Sequence, residues 1–157
     1  MEISFYNLKE IKENMKTMIK QVIIMRKDLN MRKGKIAAQA GHACVNCVLK
    51  AAARVGGLLD WDSREDQGSM LSTSGRGTSA YLNEWFANEY TKICVTVNSE
   101  AELLKYKDLI EEAGYVVHLV QDLGHTEFKN KKTYTCLAVE PLPAELIDPL
   151  TGDLPLY

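Results

Sequence analysis

No apolar run in this 157-residue chain approaches the ~20 residues that a membrane span requires, so a soluble protein with no membrane partner is expected. The opening residues, MEISFYNLKEIKENMK, interleave Glu and Lys and contain no apolar core followed by small residues. They do not read as a secretory signal, and a cytoplasmic location is expected. Metal ligands are scarce. His42, His118 and His125 are far apart, and the only C-x-x-C, Cys44 to Cys47, falls inside a helical pattern with no second such pair. Zinc needs four ligands, and a redox pair takes its low pKa from a helix N-terminus rather than a helix interior. Core packing of reduced thiols is therefore the expected role of Cys44, Cys47, Cys94 and Cys136. The full G-x-x-x-x-G-K-[ST] loop is also missing, which leaves nucleotide hydrolysis without support.

What is present is ordinary in bulk: 46 % hydrophobic and 25 % charged residues, the averages of a globular protein. A chain of this length buries on the order of two-thirds of its unfolded surface as one domain. Charge is distributed less evenly. Residues 1 to 54 hold eleven Lys or Arg against four acids, an excess of seven; because the whole chain carries -2, the remainder carries -9. A cationic face for a polyanion is one reading, and a solvated basic surface is the other.

The elements alternate. Phe5, Leu8, Ile11, Met15 and Met18 lie at helical spacing, which predicts an accessory N-terminal helix. Gln21 to Arg26 (QVIIMR) predicts a central strand, followed by a basic loop from Lys27 to Gly34 and a helix from Lys35 to about Arg54, with Ile36, Ala40, Ala43, Cys44, Cys47 and Ala51 on its buried face. Residues 55 to 80 are rich in Gly and Ser and read as a long surface loop, closed by a short helix at Tyr81 to Asn88. Lys92 to Val97 is a second strand. Ser99 with Glu102 forms a capping box opening a helix to Ala113, which Gly114 stops. Val116 to Gln121 and Thr133 to Glu140 are further strands, and Pro143 to Ile147 a short helix. This order predicts an α/β fold: a compact single domain, with a mixed sheet of about four strands and helices packed on both faces.

Two glycine-marked loops stand out. Met31-Arg32-Lys33-Gly34-Lys35 brings cations to the start of a helix after a strand, where free N–H groups and the dipole favour an anion. Asp122-Leu123-Gly124-His125-Thr126 follows a strand end, where ligands of open α/β sheets collect, although Asp in a turn is also simple turn chemistry.

At these residues the chain resembles the peptidyl-tRNA hydrolases of the archaeal and eukaryotic type, commonly called the Pth2 family, from about Lys20 to Tyr157. The resemblance rests on Val22 to Leu29 ending in Arg26-Lys27-Asp28-Leu29, on Lys33-Gly34-Lys35-Ile36-Ala37-Ala38-Gln39 with His42-Ala43, on Asp122-x-Gly124-x-Thr126, and on Leu150-Thr151-Gly152-Asp153-Leu154. Four ordered motifs make it specific. The chain departs from the family at Arg32, where Gly is usual, at Leu123 and His125, and at Glu140-Pro141-Leu142-Pro143, where Gly-Pro-x-Pro is typical. Residues 1–19 read as an extension and residues near 63–79 as a Gly/Ser-rich insertion into a domain spanning 20–157.

The resemblance implies hydrolysis of the ester joining a peptide to tRNA, no metal or organic cofactor, and commonly a homodimer. It implies Lys35 as the essential lysine, Asp122 as a carboxylate that orients Lys35 or positions water, and Thr126 and Thr135 as further catalytic residues. Gln39 and His42 share the helical face of Lys35 and are expected to position the substrate. Arg26, Lys27, Arg32 and Lys33 are expected to grip tRNA phosphates without reading sequence. A non-catalytic RNA-binding or adaptor protein on the same fold is the alternative, and a small-molecule-binding α/β protein a third reading.

Overall fold

A computed structural model of the chain describes residues 18–54 and 79–157. The expectations for residues 5–17 and 55–78 lie outside the described residues. Strand β1 (Ile19–Arg26) is followed by helix α1 (Lys33–Arg54), helix α2 (Ser79–Ala87), strand β2 (Lys92–Val97), helix α3 (Glu100–Glu112), strands β3 (Val117–Asp122), β4 (Thr133–Val139) and β5 (Leu142–Pro143), and helix α4 (Ala144–Thr151). The sheet runs β2-β1-β4-β3. β1 pairs parallel with β2 across a helical crossover and antiparallel with β4, which pairs antiparallel with β3. The two-residue β5, which the helix expected at Pro143 had absorbed, pairs with the start of β1. Pro143 within it and Pro141 just before it carry no N–H donors, so it has a strand's position without a strand's length.

β1 is apolar from Val22 to Met25 because both its faces are covered there. Val22 and Ile24 join Leu103, Ile110, Leu137 and Ile147 under α3 and α4. Ile23 and Met25 join Ala43, Cys44, Cys47, Cys136 and Ala138 under α1, and Ile19 meets Ala51, Leu82 and Trp85 where α2 packs on the same side. Helices therefore lie on both faces of the sheet. The small residues of α1 let it approach the strands closely, and its own Cys44 and Cys47, like Cys94 on β2 and Cys136 on β4, are free cysteines. Burial pushes those thiols up, Cys94 to about 11 and Cys136 to about 12, which keeps them protonated and inert.

The ends of α3 follow the expected chemistry. Ser99 Oγ accepts the Glu102 N–H at 3.1 Å, while the Glu102 carboxylate reaches back to the Asn98 N–H at 2.8 Å rather than to Ser99 itself. Gly114 (φ 91°) completes the stop, with Gly114 N–H donating to Glu111 O and Tyr115 N–H to Ile110 O.

Two local features set up the site. Between Val120 and Gln121 the β3–β4 register shifts: Val120 faces Cys136 and Gln121 faces Tyr134, so Thr135 is an extra, unpaired residue. A bulge of this kind re-aims side chains. It turns Thr135 and Cys136 towards α1 and leaves Tyr134 packed on the α3 side. The second feature is Glu140, buried at 2 % exposure, whose carboxylate accepts the Val116 N–H at 2.7 Å and ties down the start of β3.

Candidate active site

β1 and β3 run in the same direction, each antiparallel to β4, so Arg26 and Asp122 both close a strand at the sheet's same end. The loop after β1 is held by buried Met31 and by Asn30 in a left-handed conformation (φ 49°), and delivers the chain into α1. The helix begins two residues before the expected Lys35, so Lys33, Gly34 and Lys35 form its first turn. No acidic residue accompanies them there. Cations at the positive end of a helix cost roughly 0.3–1 kcal/mol each unless an anion sits nearby.

Asp122 is that anion for Lys35. Lys35 Nζ donates to Asp122 Oδ2 at 2.5 Å and to Thr126 Oγ1 at 3.0 Å. The other carboxylate oxygen accepts the Gly124 N–H at 2.7 Å. Gly124 has no substitute: its φ is 85°, and a Cβ there would lie 2.5 Å from the Lys131 carbonyl oxygen. The Asp-x-Gly-x-Thr spacing thus makes a tight turn that presents Asp122 and Thr126 to one ammonium group.

Behind this pair stands a chain of hydrogen bonds. Gln39 Nε2 donates to Asp122 Oδ2 at 3.1 Å, and Thr135 Oγ1 donates to Gln39 Oε1 at 2.5 Å. The amide orientation is self-consistent, since its nitrogen meets a carboxylate and its oxygen a hydroxyl. Thr135 is fully buried, so it holds Gln39 from beneath and does not line the cleft. Burial pushes the Asp122 carboxyl up. Hydrogen bonds from Lys35, Gly124 and Gln39, with the charge of Lys35, outweigh that and hold it below the ordinary carboxylate value. Asp122 is therefore a permanent carboxylate at neutral pH. A general base would need its pKa raised towards neutrality; of the two roles considered for Asp122, holding Lys35 is the one this shift fits.

His42 is exposed, and it lines two adjoining hollows together with Lys35, Gln39, Asp122 and Thr126. Their volumes are about 450 and 560 Å³. Asn46, His118, Leu123 and His125 also border the first hollow. Asn46 was legible in principle, since residues 35, 39, 42 and 46 follow one helical stripe. Phe128 had no such signal; its ring centre lies 5.6 Å from Lys35 Nζ, close enough for a cation–π contact.

A family model described as peptidyl-tRNA hydrolase PTH2 matches residues 19–157. The chain belongs to that family. Among similar proteins, peptidyl-tRNA hydrolases of Saccharolobus islandicus and Saccharolobus solfataricus are each 34 % identical over 139 residues, covering 88 % of this chain and 99 % of theirs. That of Methanothermobacter thermautotrophicus is 38 % identical over 138 residues, with the same coverage.

Within this PTH2 domain the four expected phosphate-binding cations have different surroundings. Lys27 and Lys33 are exposed and make no ion pair among the described residues. Arg32 is exposed as well, with its Nε 2.7 Å from Glu127 Oε1; that hydrogen bond holds the Glu127 carboxyl below its usual value. Arg26 is not brought to the cleft. It is 9 % exposed, and its guanidinium meets both carboxylate oxygens of Asp28 (3.1 and 2.7 Å), Glu100 (3.4 Å) and the Tyr134 carbonyl (3.1 Å). Among the described residues no three His, Cys, Asp or Glu gather as a metal site, and no helix is long and apolar enough to cross a membrane.

Proposed function

We propose that this chain hydrolyses the ester bond between a peptide, or an N-blocked aminoacyl group, and tRNA, returning free tRNA to translation. The observation that carries the assignment is the convergence of Asp122 and Thr126 on Lys35 Nζ at the mouth of a cleft. An ammonium group has three donors, and the described residues occupy two; the third is left for substrate.

In the reaction, water attacks the ester carbonyl carbon, and the carbonyl oxygen becomes an oxyanion. Collapse of this intermediate breaks the bond to the terminal ribose oxygen, which takes the proton given up by the attacking water and departs as a hydroxyl, leaving the carboxylic acid. Lys35 stabilises the oxyanion with charge and a hydrogen bond already in place. Asp122 fixes the ammonium, and Gln39, held by Thr135, fixes Asp122. Thr126 and His42 border the space for the attacking water and the substrate. Lys27 and Lys33, with Arg32 beside them, meet tRNA phosphates, while Arg26 braces the strand from which their loop springs.

Residues 20–157 form the hydrolase domain, with 1–19 as an extension, a boundary that the family match from residue 19 onwards supports; the stretch near 63–79 is read as an insertion from its Gly/Ser-rich composition. Four free cysteines among the described residues suit a reducing cytoplasm, and the family resemblance supports a homodimer that works without a cofactor. The decisive experiment compares N-acetylaminoacyl-tRNA with free aminoacyl-tRNA, for the native chain and for Lys35→Ala. Release of only the acylated residue, lost in the variant, is expected. Binding without turnover would instead favour an RNA-binding adaptor.

A further inference from the structure

The two hollows meet at Lys35, Gln39, His42, Asp122 and Thr126 and then run in different directions. One opens past Gly34, Arg32 and Glu127, at the positively charged start of α1. The other follows α1 to Asn46 and β3 back to His118, and beyond the shared residues its lining bears no Lys, Arg, Asp or Glu. An ester of peptide and tRNA has the same division: an anionic half, a neutral half, and the reacting carbonyl between them.

Resting on the hydrolase reading above, we propose that the acyl chain of the substrate lies extended in the groove between α1 and β3, its main chain held at the far end by His118 and Asn46, while the tRNA terminus leaves past Gly34 and Arg32.

Length supports this. Asp122 to His118 spans four strand steps of ~3.3 Å, and Lys35 to Asn46 eleven helical steps of ~1.5 Å, so the groove is roughly 13–16 Å long and takes about four extended residues. Beyond it Lys50 Nζ donates to the Val117 carbonyl at 3.1 Å and closes the end. His118 lines the groove, and its Nδ1, turned into the protein, has no hydrogen-bond partner among the described residues, an arrangement that costs free energy and that a turn of the ring towards a ligand would relieve. Burial, helped by the charge of Lys50, holds the imidazole below its usual pKa. At neutral pH the ring is therefore uncharged, and the nitrogen that faces the groove can pair with a peptide N–H or C=O according to its tautomer. Reading the main chain suits a substrate whose peptide has any sequence.

The test uses two measurements. Turnover is followed for tRNA carrying N-acetylated chains of one to six alanines, and for the four-residue chain with its main-chain amides N-methylated. Binding of free N-acetyl-tetraalanine is followed by the imidazole resonances of the three histidines. We expect kcat/KM to rise about tenfold up to four residues and then level off, N-methylation to abolish the gain, and His118 to respond to the free peptide. In His118→Ala and in Asn46→Ala the ratio of four-residue to one-residue kcat/KM should fall towards one, a comparison made within each variant and so independent of how much of it is folded. Length-independent turnover, or no response of His118 to the peptide, would overturn the groove assignment while leaving the hydrolase reading intact. A His118 response without turnover on any tRNA would support the groove and sink the hydrolase reading.

Discussion

Two cations nine residues apart in the same basic stretch have different fates. Arg26 ends a central strand, is 9 % exposed, and directs four N–H···O contacts at Asp28, Glu100 and the Tyr134 carbonyl. Lys35 lies in the first turn of a helix, its side chain 13 % exposed, and makes two such contacts at the edge of a cleft. Burial barely separates them. What separates them is spare valence: the guanidinium is nearly saturated by protein, whereas the ammonium keeps a donor that no described residue takes. A saturated ion pair braces a fold and an unsaturated one is available for chemistry.

The largest effect expected from this contrast is at Lys35. Lys35→Ala should lower kcat at least about a hundred- to a thousandfold, as removal of an oxyanion donor does, with a smaller change in KM; steady-state kinetics on N-acetylaminoacyl-tRNA would measure both. A variant retaining a tenth of native kcat would put the essential charge elsewhere.

Next comes Asp122. Its folded-state pKa lies below the ordinary 3.8, so its contribution to stability is complete above that value and is lost as pH falls through the lowered one. Its part in turnover should follow the same limb, with no loss assigned to it between pH 7 and 5. In Asp122→Asn, kcat should drop roughly tenfold or more, the loss of about 1.4 kcal/mol of charge-assisted positioning. If the native pH–rate profile has an acid limb near pH 6 that the Asn variant abolishes, Asp122 is a base and not a brace.

Thr135→Val keeps the volume but leaves Gln39 Oε1 buried without its donor. Thermal unfolding should show a loss of about 1–3 kcal/mol, and kcat should fall severalfold at unchanged KM because the effect reaches substrate only through Gln39 and Asp122. Equal kcat would reduce Thr135 to a structural residue. For Arg26→Met the emphasis is opposite: stability should fall by about 1–3 kcal/mol, since Asp28 and Glu100 keep access to water but the Tyr134 carbonyl loses its partner. A raised KM for tRNA at native stability would return Arg26 to the phosphate grip. The smallest effect is at Lys33. Native KM should rise with salt, and Lys33→Ala should raise KM only a few-fold while reducing the slope of log KM against log salt by about one; an unchanged slope would remove Lys33 from the interface.

Much of this arrangement was legible in residue order. QVIIMR read as a central strand, Ser99, Glu102 and Gly114 bounded α3, and the spacing of Lys35, Gln39 and His42 put three polar residues on one helical stripe. Each of these is local, a matter of period or of a cap within a few residues. The same logic did not locate β5, whose two residues are a strand only because β1 lies beside them. Nor did it distinguish Arg26 from its basic neighbours, since Glu100 and Tyr134 lie 74 and 108 residues further along the chain.

By itself the sequence determined which residue types are available: a glycine where only positive φ will fit, a carboxylate and a threonine around it, and a lysine in the first turn of a helix. The family likeness paired those motifs, but only the tertiary structure decided how they meet. Strand alternation alone would put Thr135 on the face of Leu137 and Val139, away from Lys35. The bulge opposite Val120 and Gln121 reverses it, and a register shift of one residue exchanges the two faces of a strand. That shift brings Thr135 beneath Gln39, and so links the core to Asp122 and Lys35.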